Sequence, residues 1–188
     1  MPKTTEIKFK KGFLEQLAAN EDVQIIGRVL AVLKNKKTGN IKIIHGVNIV
    51  TNDGDVYYAQ SACGETPTDD FDHATNAGLR LGSDNTAPTK SDIDVTTFLT
   101  GSDHVIDGTY PKSNDGDSDN TGAGVDVVTW RYSYSTSEGN VSGIIEGAIV
   151  DNKGTPTAAL THFLFTASFN KTSSDTLKVF VNHTMNGV

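Results

Sequence analysis

Sulfur is scarce in this chain: Cys63 is the single cysteine, so no intrachain disulfide can form and nothing implies an oxidising compartment. A catalytic thiol needs a base, and His45, His73, His104, His162 and His183 stand in no Cys/His signature with it. Long apolar runs are missing too. None approaches the about 20 residues of a membrane-spanning helix, and the start lacks the apolar stretch of a signal peptide. The expectation is a soluble protein made in the cytoplasm. Positive charge is in the minority, with 16 Lys and Arg against 23 Asp and Glu and a formal net charge of −7. A broad nucleic-acid-binding surface is therefore not expected.

What is present is turn and strand chemistry. Among 188 residues, 18 are Gly and only 36% are apolar, with Thr, Ser, Asn and Asp abundant. That length suits one core, and that composition suits short strands joined by turns. The expected fold is all-β: a single antiparallel β-sandwich or jelly-roll-like domain over residues 23–188. A short N-terminal helical or extended arm occupies residues 1–22, and a long acidic loop residues 101–124.

The strand signals are clearest near the C-terminus. In VDVVTWRYSYS, Val128, Trp130, Tyr132 and Tyr134 alternate with Thr129, Arg131, Ser133 and Ser135, the pattern of a half-buried strand with one aromatic face. ALTHFLFTASF sets Phe163, Phe165, Ala167 and Phe169 on one face, and DTLKVFVNHTM does the same with Leu177, Val179, Val181 and His183. Residues 23–33 and 41–50 read as a hairpin whose turn uses Thr38, Gly39 and Asn40. TNDGDVYYAQSACGE stays open between helix and strand. Thr51 or Asp53 can cap a helix, while Val56, Tyr57 and Tyr58 favour a strand.

Several stretches carry candidate chemistry. NDGDSDNTGAGVD puts Asp115, Asp117 and Asp119 at positions 1, 3 and 5 of a twelve-residue calcium loop and Asp126 at position 12. Asn120 replaces the expected Gly at position 6 and Asp126 the expected Glu, so a solvated acidic loop is the plainer reading and calcium the candidate ion. Asp69, Asp70, Asp72 and His73 also cluster, but no spacing supports a metal site or a hydrolase. Trp130, Tyr132 and Tyr134 are a candidate sugar-stacking platform in a competing, calcium-dependent carbohydrate-binding reading, although an aromatic strand face is more often core. His162 and His183 lie in strands, where a hydrogen-bonded histidine is the ordinary outcome. At the N-terminus, Lys3, Lys8, Lys10 and Lys11 oppose the charge of the chain, and Phe13, Leu14 and Leu17 have helical spacing with little local core. These seven residues are the candidate interface with a neighbouring subunit.

The order of segments adds a resemblance. NIVTNDGDVYYAQ is followed by LRLGSDNTAPTKSDIDVTTFL, by a hairpin carrying Glu138, Asn140, Ile144, Glu146 and Gly147, and by the NKTSSDTL turn. This succession over residues 45–186 resembles small structural proteins of tailed bacteriophages, either capsid decoration or tail-associated. The resemblance implies a non-enzymatic virion protein, made in the host bacterial cytoplasm. Its partners would be the major capsid protein or other virion proteins and, in a homo-oligomer, further copies of itself. A trimer is favoured, because closure about an axis would hide one strand edge per subunit. It also implies that the GLRLGSDNTAPTKSD stretch shapes an interface, with Gly78 and Gly82 allowing tight backbone, Pro88 ending a strand and Asp92 making a turn. The acidic insert at residues 103–124 departs from that pattern.

Overall fold

The structure, a computed structural model, describes residues 4–7, 25–72, 76–113 and 127–185. Nine strands and one helix occur among them: β1 (Thr4–Ile7), β2 (Ile25–Asn35), β3 (Ile41–Val50), α1 (Asn52–Ala62), β4 (Gly78–Gly82), β5 (Lys112–Ser113), β6 (Val127–Tyr134), β7 (Ile144–Val150), β8 (Ala159–Phe169) and β9 (Asp175–Met185). The chain is thus mostly β, as its composition leads one to expect. Hydrogen bonding follows one path, β4-β7-β8-β3-β2-β9-β6-β5, and the sheet curls into a half-barrel. Every pair on this path is antiparallel. β1 stands off it, pairing in parallel with β3.

Register explains the core. Residues opposite one another in an antiparallel pair share a face. One row therefore carries Trp130, Val181, Val29, Gly46 and Phe165 across five strands, and the next carries Tyr132, Val179, Ala31 and Ile44. These rows form the concave face, where Trp130 and Tyr132 are wholly buried. Tyr134 is buried as well, so all three rings read as a candidate sugar platform are interior and none presents a face to a ligand. The concave side is filled by α1 and the segment after it, with Tyr57 edge-on to Phe71 and tilted against Trp130. Tertiary packing decides the open question at residues 51–65. Thr51 caps the helix by accepting from Gly54 N, and a Cβ on Gly54 would lie 2.1 Å from the Leu160 carbonyl oxygen.

The two ends of the sheet are joined by one irregular segment. Residues 97–104 run along β4: Leu79 and His104 exchange both backbone hydrogen bonds at 2.8 Å, Leu99 N donates to Leu81 O, and Ser83 N donates to Thr97 O. Residues 107–113 then run along β6. Asp107 N donates to Arg131 O, Asp107 accepts from Ser133 N and Oγ and from Arg131 Nε, and β5 pairs with Thr129 and Val128. Part of the expected acidic loop is therefore a strap. It covers the β4 and β6 edges within the chain, where closure about an axis was expected to hide one strand edge per subunit.

No helix among the described residues is long and apolar enough to cross a membrane. β1 places residues 4–7 of the expected arm against the sheet.

Candidate functional site

The convex face of β4, β7 and β8 carries a dense, buried polar cluster. Arg80, Glu146 and His162 come to this face because Arg80 opposes Ala148, Ala148 opposes His162, and Glu146 sits two residues away on the same strand. Residues 83–98 fold over them, with Val95 and Phe98 packing on Ala148, Val150 and Ala159 as a small second core. The opening glycine of that loop is forced: a Cβ on Gly82 would lie 2.3 Å from Glu146 Oε1.

His162 is held from both sides. Its Nδ1 lies 2.6 Å from Asp92 Oδ2 and its Nε2 lies 3.0 Å from Glu146 Oε2. Glu146 accepts further from Asp84 N and Thr97 N on Oε1 and from Thr96 N on Oε2, all within 3.0 Å. Asp92 also accepts from Thr89 N and Oγ1, making the turn expected of it. Nearby, Arg80 Nε lies 3.0 Å from Asp94 Oδ1, an ion pair by distance whose angle is not that of a hydrogen bond. Its Nη1 donates to Lys153 O and its guanidinium stacks 3.7 Å over Phe98.

Charge follows from this geometry. Burial alone would discharge His162, but its bonds to Glu146 and Asp92 prevail and raise its pKa. Burial likewise opposes ionised Glu146 and Asp92, yet hydrogen bonds from His162 and from the loop hold both carboxyls below their usual values. Burial pushes Asp94 up, against the pull of Val95 N–H and Arg80. With His162 protonated, the triad is carboxylate, imidazolium, carboxylate. In that state both ring nitrogens donate, and both oxygens of Glu146 are taken. What it does chemically is pin residues 84–97 to the sheet.

A second histidine on the concave face does the opposite. His183 is fully buried, with Nε2 2.5 Å from Asn48 Nδ2 and Nδ1 2.6 Å from the Tyr58 hydroxyl, which also accepts from Trp130 Nε1. With Asn48 donating to Nε2, the consistent tautomer carries its proton on Nδ1. Burial pushes its pKa down to about 3, so it is neutral.

The segments of the resemblance meet through side chains. The loop residue Asp92 reaches Glu146 through His162. In the closing turn, buried Lys171 donates from Nζ to Asn140 Oδ1 at 3.0 Å, and Asn170 accepts from Gly143 N. Asp175 holds Thr172 and Asn35 together.

The remaining candidates are less organised. Asp69 and Asp72 are half-buried and Asp70 is exposed, with Asp72 N donating to Asp70 Oδ1. Asp69 is pushed up by burial and by Asp53 and Asp151. Cys63 is exposed. Asp115, Asp117, Asp119 and Asp126, together with Lys3, Lys8, Lys10, Lys11, Phe13, Leu14, Leu17 and His73, lie outside the described residues. Among the described residues, no group of three or more His, Cys, Asp or Glu side chains could hold a metal ion. Sequence reasoning missed the triad, although Glu146 within IIEGAIV and His162 within ALTHFLF are single ionisable residues in apolar runs, which signals buried partners.

The chain matches no protein-family model, no curated protein and no solved structure.

Proposed function

We propose that this chain is a non-enzymatic virion structural subunit of a tailed bacteriophage, acting as a capsid decoration (cement) protein that binds the major capsid protein across capsomer boundaries. One observation carries the reading. The segments through which the sequence resembles such proteins are joined by buried polar contacts, Asp92 to Glu146 through His162 and Asn140 to Lys171, and these contacts hold loops and turns in place without offering a free reactive group. A rigid frame presenting shaped loops suits multivalent binding over a large surface. On this reading the half-barrel with its strap serves as a sandwich-like or jelly-roll-like shell, and the copies are trimeric.

The same observation suits a tail, baseplate or fibre-associated subunit, and copy number separates the two. Particles purified on a density gradient, imaged by electron cryomicroscopy, should show the chain on the head surface in many copies. A few copies at the tail would select the second reading, and presence only in the soluble lysate would overturn both.

A further inference from the structure

The sheet contains a slot that its main path does not fill. β8 follows β3 only from Val50↔Thr161 to Gly46↔Phe165, then continues with β7 as far as Ile144↔Phe169. The β3 edge at residues 41–44 is left to another strand, and β1 takes it, Thr4↔Ile41 to Ile7↔Ile44. Three features set this pair apart. It is the one parallel pair among the described strands, it is four residues long, and residues 8–24 separate it in sequence from β2.

We infer that this slot is a strand-exchange site, whose occupant in the assembled protein is Thr4–Ile7 of a second copy of the chain. The register sets the reach required. Ile7 lies level with Ile44, and Ile25, two residues before Gly27↔Asn48, lies level with Val50. Six residues along the strand and two strand spacings across amount to roughly 20–25 Å. The 17 intervening residues can span about 55 Å. More than twice the needed length is present, so the same chain can deliver β1 to a neighbour's slot.

The contacts formed at home and in exchange are identical. The balance then depends on chain concentration against the local concentration that tethering within one chain imposes, on the order of millimolar. The inference concerns self-association alone and stands wherever the subunit assembles.

Thr5→Cys with Lys42→Cys, in a Cys63→Ser background, places a cysteine pair in register across the slot. Glu6→Cys with Ile43→Cys serves as a second pair in case the first perturbs folding. The full-length variants are oxidised over a range of concentrations after equilibration as an equal mixture of 14N and 15N chains, and the linked peptides are identified by mass spectrometry. Exchange predicts mixed-isotope cross-links between chains that grow with chain concentration, become a substantial share of the product at about 1 mM and decline on dilution. Cross-links confined to single chains at every concentration would overturn the inference. So would cross-links in neither folded variant, since β1 would then not occupy the slot.

Discussion

His162 and His183 are both buried, yet one is charged and one neutral, and the difference lies in what each nitrogen meets. Carboxylates flank His162, whereas an amide and a phenol flank His183. Their contributions to stability have opposite pH dependence. The raised pKa of His162 gives stabilisation that is complete below 6.5 and lost as pH rises through its folded value. Glu146 and Asp92, both depressed, contribute above 4.5 and 3.8 and lose that contribution as pH falls through their folded values. The triad is thus strongest between pH 4.5 and 6.5. His183, depressed to about 3, contributes fully above 6.5 and less with each step toward acid, by up to about 1.4 kcal/mol per pH unit. Urea unfolding from pH 4 to 9 checks this. His162→Gln should remove the loss on the alkaline side, and His183→Gln should flatten the acid limb below pH 6.5. Glu146→Gln at pH 6 should destabilise by about 3–5 kcal/mol, because imidazolium and loop amides lose their buried acceptor charge. A change under about 1 kcal/mol would show that the triad does not hold the loop.

At the scale of elements, the strap satisfies backbone groups along β4 and β6 from within the chain. Asp107 is its anchor on β6, accepting from Arg131, Ser133 N and Ser133 Oγ. Asp107→Ala should cost about 2–3 kcal/mol. It should also speed amide hydrogen exchange in residues 107–113 and β6 while leaving β2 and β3 protected; uniform loss of protection would contradict a local anchor. The strands themselves were legible in the sequence. Alternation in VVTWRYSY and DTLKVFV matches buried concave positions because the half-barrel keeps one face of each strand dry. α1 was not legible, since its β-favouring Val56, Tyr57 and Tyr58 are overruled by the Thr51 cap and by Tyr57 packing on Phe71. Nor was the triad, whose members lie 16 and 70 residues apart. Periodicity reports faces, and it does not report which loop will cover them. The strap escaped for the same reason, because acidic, turn-rich residues read as a free loop until the edges they satisfy are known.

At the scale of the whole molecule, pinned loops, strap-covered sheet edges and one strand slot support the proposed reading as a subunit held by neighbours. The trimer expectation rested on open strand edges, and the strap covers the β4 and β6 edges within the chain; the proposed self-association would run through the β1 slot instead. A decoration subunit must bind in fixed proportion to the lattice and strengthen it. Purified chain should be titrated onto heads that lack it, with bound subunits counted by quantitative mass spectrometry and head rupture followed against temperature. Binding should saturate at a constant ratio to the major capsid protein, and saturated heads should rupture at a higher temperature. Heads that bind none of the chain at saturating concentration, and rupture at an unchanged temperature, would contradict a decoration role.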